Sequence, residues 1–124
     1  MALCLAAGAV ATKLGLAAFT LIWTHSVERV RWEEDWQVTS PTLTLIEARI
    51  KGSGAGMEPP DGAILEDGYW RYRPDLDPIE RLDLARSGAV DDWRLCTPAR
   101  GCAKLAELLP GLPAAAAVTL TACG

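Results

Sequence analysis

Apolar and polar residues alternate with a period of two along much of this chain, the pattern of strands with one buried face. From 19 to 27 the odd positions read Phe19, Leu21, Trp23, His25 and Val27, with Thr20, Thr24 and Ser26 between them. From 32 to 38 the even positions read Trp32, Glu34, Trp36 and Val38, set against Glu33, Asp35 and Gln37. A hairpin around Arg29-Val30 that matches these apolar faces pairs Val27 with Trp32, His25 with Glu34, Trp23 with Trp36 and Leu21 with Val38. One ionisable residue interrupts each apolar face, and this register sets the two opposite each other. Ser40-Pro41 then turns the chain. Thr44, Ile46, Ala48 and Ile50 alternate with Leu45, Glu47, Arg49 and Lys51 as a third strand.

Asp67-Gly68, between 64–66 and 69–72, is the strongest short hairpin signal. Residues 82–85 and 93–96 read as a strand pair across a turn between Ser87 and Asp92. Residues 103–109 predict one or two helical turns, stopped by Pro110-Gly111, and 116–123 a last strand. The opening stretch, 2–23, carries one charge, Lys13, and is nominally long enough to cross a bilayer. Gly8 and Gly15 interrupt it and Lys13 sits in its middle, so two short strands around a turn are expected there. The sum is an all-β fold of one domain, 1–124: a small antiparallel β-sandwich or partly open barrel built of hairpins, with at most one short helix near 103–109.

A formal net charge of -4 and a pI near 4.9 exclude the basic footprint of nucleic-acid binding. Basic residues are scattered among acidic ones, so no polybasic membrane anchor stands out. Four cysteines pair naturally as Cys4 with Cys123 and Cys96 with Cys102. Their spacing lacks the paired knuckles of a structural zinc site. Disulfides point to an oxidising compartment such as the cell envelope, whereas the first residues are apolar without the basic start of an export signal.

His25 is the sole histidine. Opposite Glu34 it is a candidate general base oriented by a carboxylate; the favoured reading is a buried polar pair that fixes strand register. Ser26 points to the other face, which rules out a serine–histidine dyad between neighbours. Glu28, Glu33, Glu34 and Asp35 with His25 form an acidic cluster, but alternation sends Glu33 and Asp35 away from Glu34, and no metal is assigned. The run Gly52, Ser53, Gly54, Ala55, Gly56, Met57 lacks the phosphate-loop pattern and suits positive φ angles or a pocket-shaping loop. No cofactor is called for. Of the five tryptophans, most are expected in the core.

Three pieces taken together, Trp-Thr-His-Ser-Val-Glu (23–28), Trp-Glu-Glu-Asp-Trp (32–36) and Lys-Gly-Ser-Gly-Ala-Gly-Met (51–57), resemble the bacterial domain-of-unknown-function family 1850. The similarity spans roughly 19–70 and continues more weakly through Leu-Ala-Arg-Ser-Gly (84–88) and Trp-Arg-Leu-Cys (93–96). Members of that family are small, have no assigned reaction, and are typically encoded beside TRAP-type transporters of the TAXI class. The resemblance therefore implies a non-enzymatic accessory module that binds the receptor, the permease or a small solute. Its contact residues would be His25, Ser26, Glu28, Glu33, Glu34, Gly52, Ser53, Gly54, Gly56 and Met57. Two rival readings are a small hydrolase or metal-dependent enzyme using His25 and Glu34, and a purely structural domain.

Overall fold

The alternating segments assemble into two antiparallel sheets packed face to face, in a computed structural model that describes residues 1–24, 30–52, 60–88 and 91–124. The strands are β1 (Ala2–Ala7), β2 (Val10–Gly15), β3 (Ala18–Thr24), β4 (Arg31–Thr39), β5 (Thr42–Lys51), β6 (Ile64–Glu66), β7 (Tyr69–Tyr72), β8 (Arg81–Leu84), β9 (Arg94–Thr97), β10 (Gly101–Lys104) and β11 (Val118–Cys123), with one short helix, α1 (Leu105–Leu108). Among the described residues the smaller sheet runs β2-β1-β11-β8 and the larger β10-β9-β3-β4-β5-β7-β6; neither closes into a barrel. The expected sandwich is thus the fold.

Leu3, Leu5, Leu14, Leu84, Val118 and Leu120 of the smaller sheet meet Phe19, Leu21, Trp36, Val38, Leu43 and Leu95 of the larger, and Leu105 and Leu109 close one end. Full burial of one such side chain contributes about 1.5–3 kcal/mol over leaving it in water. The opening apolar stretch is the β1–β2 hairpin, paired from Ala2↔Gly15 to Ala7↔Val10. No helix among the described residues is long and apolar enough to cross a membrane. Asp67 and Gly68 adopt positive φ angles of 53° and 82° and join β6 to β7, as the twist of a two-residue hairpin requires.

Three expectations are corrected. Strands β8 and β9 do not pair: β8 lies against β11, while β9 lies between β3 and β10. Leu84 and Leu95 enter the core from opposite sheets, so residues 85–88 leave the smaller sheet and 91–93 lead into the larger, rather than flanking a hairpin turn. Along β5 the single alternating face is split by a bulge: Trp36 pairs with Leu45 but Asp35 with Glu47, leaving Ile46 as the extra residue. The parity of the strand therefore switches, and Leu43 and Leu45 pack on the core before the bulge, with Ala48 and Ile50 buried after it. Of the tryptophans only Trp36 is buried, at 2 % exposure, because the other four stand where the larger sheet meets solvent or loops.

Both cysteine pairs are bonded. Cys96 and Cys102 sit directly opposite on β9 and β10, and Cys4–Cys123 ties β1 to β11 with Cα atoms 5.9 Å apart. The second bond closes a loop with a sequence separation of 119, and cross-links of that span restrict the unfolded chain by about 4–5 kcal/mol. Replacing Cys4→Ser and Cys123→Ser together is expected to lower unfolding free energy by about that amount. Urea denaturation of the oxidised variant and parent measures it.

Candidate functional site

The strands β3 and β4 form the expected hairpin in a different register. Trp23 pairs with Trp32, Leu21 with Glu34 and Phe19 with Trp36, so Leu21, not His25, stands across from Glu34. Both registers keep the apolar faces together, because an even shift preserves parity. The observed one stacks Trp23 on Trp32 at 5.6 Å between ring centroids and lets Thr20 Oγ1 donate to Asp35 at 2.7 Å. Of the proposed contact residues, Glu33, Glu34 and Gly52 are described; His25, Ser26, Glu28, Ser53, Gly54, Gly56 and Met57 lie outside the described residues.

The structure separates the two glutamates. Glu34 lies on the inner face beside Leu21 and Ala48, accepts a hydrogen bond from Trp36 Nε1 at 3.2 Å, and has Tyr72 beyond Ala48. Burial pushes its pKa up, against the lowering effect of the indole hydrogen bond; burial and the Glu34 charge raise Tyr72 in turn. Glu33 lies on the outer face in a network centred on Arg49, which donates to Glu33 at 2.9 Å, to both oxygens of Asp35 at 2.7 and 2.9 Å, and to Glu47 at 2.7 Å. Arg71 donates to Glu47 in turn. The guanidinium occupies the place a divalent cation would take, and no metal-holding group of His, Cys, Asp or Glu forms among the described residues. Gly52 is a glycine for a packing reason: a Cβ there would come within 2.8 Å of Trp70 Nε1.

A cleft of about 660 Å³ opens at the end of β3, lined by Trp23, Thr24, residues of the crossing segment, and Lys104, Ala106, Leu112 and Ala114. Its frame is an ion pair. Arg86 donates to Asp92 at 2.8 and 3.2 Å and to the carbonyls of Pro113 and Ala116 at 2.8 and 3.1 Å. The two side chains are only 6 % and 12 % exposed. Asp92 also accepts the N–H of Ala106 at 2.8 Å. Burial works against its charge, yet Arg86 and the amides of Ala106 and Trp93 hold its pKa below the usual carboxylate value. Trp93 donates its indole N–H to Ala85 O at 2.8 Å and stacks on Trp23 at 4.6 Å.

The aromatic column Trp93–Trp23–Trp32 therefore runs from the cleft to the first row of β4. At its far end Trp32 Nε1 is buried without a hydrogen-bond partner among the described residues; a buried donor left unpaired costs about 1–3 kcal/mol. Sequence reasoning missed Arg86, Asp92 and Trp93 as a site. Their pairing spans the crossing between sheets, and the assumption of a β8–β9 hairpin conceals it. The Leu-Ala-Arg-Ser-Gly and Trp-Arg-Leu-Cys pieces that flank the cleft were the available signal.

Two measurements check these electrostatics. Arg86→Leu is expected to destabilise the fold by about 3–5 kcal/mol, since it leaves Asp92 buried without its cation; Arg86→Leu combined with Asp92→Leu should recover much of the loss. Glu34 and Asp35 should give opposite pH slopes. The folded pKa of Glu34 is raised, so its contribution falls as pH climbs above its unfolded value. Asp35 is lowered, mainly by the Arg49 hydrogen bonds, so its contribution is present above its unfolded value and is lost as pH falls through its folded value. Glu34→Gln, which keeps an acceptor for Trp36, is expected to be more stable than the parent at pH 7, and Asp35→Asn to be less steeply destabilised by acid. Chemical denaturation across pH reads both.

The profile of a family described as Domain of unknown function (DUF1850) matches residues 19–105, from β3 to the first residue of α1. No curated protein and no solved structure matches the chain. The matched stretch carries the larger sheet but for Ala18, together with β8 and most of the cleft lining, including Trp23, Arg86, Asp92, Trp93 and Lys104. The chain belongs to the DUF1850 family.

Proposed function

We propose that this chain is a non-enzymatic accessory module of a TAXI-class TRAP solute uptake system, which binds the receptor, the permease or the transported solute. The transporter association rests on the family resemblance. The observation that carries the binding role is the aromatic column: Trp93 and Trp23 line the cleft, and Trp23 stacks on Trp32 beside the strand ends from which the family's motif segments depart, after Thr24 and Gly52. A concave, mostly apolar site with a few fixed polar groups is what a binding surface needs. The braced Arg86–Asp92 pair supplies rigidity, so little ordering is required on binding. The two disulfides support an oxidising compartment, where an uptake receptor works.

Glu33, Glu34 and Gly52 do not share one surface, and the cleft is the better candidate for the contact. Ala114 is exposed at its edge, and Ala114→Arg places a long charged side chain there without touching the core. Affinity purification from cross-linked native membranes should recover the TRAP receptor or permease with the parent chain and much less of either with Ala114→Arg. Recovery of neither component by the parent, together with no change in solute uptake when its gene is removed, defeats the proposal.

A further inference from the structure

Among the described residues, charge pairing around the cleft leaves one cation over. Arg86 and Asp92 neutralise each other at the wall, and every nitrogen of the guanidinium is already donating. Asp91, largely exposed, has Arg94 at 3.9 Å. Lys104 lines the same cleft; its backbone N–H donates to the Glu107 carboxylate at 2.9 Å, and its ammonium makes no ion pair among the described residues. The remaining described walls are mostly apolar or aromatic, from Trp23, Trp93, Ala85, Ala106, Leu112 and Ala114, with Thr24, Ser87 and Gly88 among them. A volume of about 660 Å³ lies within the range of small-molecule sites.

We infer that the cleft binds a small organic carboxylate with a flat apolar body, its charge held by Lys104 and its body against Trp23 and Trp93. Among the described residues, a cationic ligand meets only carboxylates that already have a cation near them: Asp92 is held by Arg86 and the amide of Ala106, and Asp91 lies 3.9 Å from Arg94. A neutral ligand gains the apolar contact but leaves the Lys104 charge unanswered. An anion answers it, and the partly apolar walls strengthen that attraction relative to open water. The carboxylate accepts from an ammonium that is a mobile point charge, so the site reads charge and flatness more than a fixed hydrogen-bond pattern. This inference rests on the reading of the cleft as a binding surface, and not on the transporter association.

Three probes of one shape isolate the charge: 4-fluorobenzoate, neutral 4-fluorobenzamide and cationic 4-fluorobenzylamine, titrated into the oxidised full chain and followed by ¹⁹F NMR. The benzoate should bind saturably and about fivefold or more tightly than either other probe. Lys104→Gln should erase that preference and Lys104→Arg restore it, with melting curves confirming that both variants stay folded. Absence of saturable benzoate binding up to about 10 mM, equal binding of all three probes, or a preference that survives Lys104→Gln overturns the inference. A parent chain that shows the benzoate preference but recovers no transporter component, and whose removal leaves solute uptake unchanged, refutes the accessory role and leaves the anion site standing. Recovery of the transporter without benzoate preference does the reverse.

Discussion

The pairing of β1 with β11 brings the two ends of the chain side by side at the centre of the smaller sheet, and the rest of the sandwich depends on it. β2 hangs on the free edge of β1 and β8 on the free edge of β11, so neither flank has a place without the central pair. Leu3, Leu5, Val118 and Leu120 come from this pair and are fully shielded. Facing them are Phe19, Leu21 and Trp36, which would otherwise present a broad apolar face to water. Such a contact closes nearly the whole chain into one loop, an entropic cost that the Cys4–Cys123 bond lessens by restricting the unfolded ensemble. The DUF1850 match begins after β2 and ends before β11, so the family's shared stretch supplies the larger sheet and β8 while the flanking segments supply its cover.

Charges are used twice, in contrasting ways. On the outer face Arg49 draws Glu33, Asp35 and Glu47 together, turning three neighbouring acids from a source of repulsion into a cross-strand brace. At the crossing between sheets, Arg86 and Asp92 are far more secluded; Arg86 also donates to the carbonyls of Pro113 and Ala116, and Asp92 accepts from the amide of Ala106. That satisfaction is what makes a buried ion pair tolerable. It also fixes the wall of the cleft and removes both charges from the competition for a ligand, so the chemistry of the opening is set by Lys104 and the indoles.

Much of the architecture was legible in the residues. The β1–β2 hairpin, the Asp67-Gly68 turn, the brief helix before Pro110 and both cysteine pairs follow from local signals: alternation, turn propensity and cysteine positions. The site was less legible. Glu33 and Glu34 were correctly assigned to opposite faces, because neighbours on a strand must diverge. The partner of Glu34 was not, and neither was the cleft, whose walls come from β3, the crossing segment, the end of β10, α1 and the loop before β11.

By itself, the sequence determined which residues of each strand share a face, since a period of two is a property of the backbone over a few residues. Only the tertiary structure decided which strands meet, and in what register. Trp23 opposite Trp32 and Trp23 opposite Trp36 satisfy the same alternation; the choice between them is made by packing and by hydrogen bonds such as Thr20 to Asp35. The bulge at Ile46 reverses parity within one strand, a step invisible to any pattern that assumes regular pleating. Arg86 finds Asp92 and the carbonyls of Pro113 and Ala116 because the two sheets stack, and no local preference of the chain encodes that meeting.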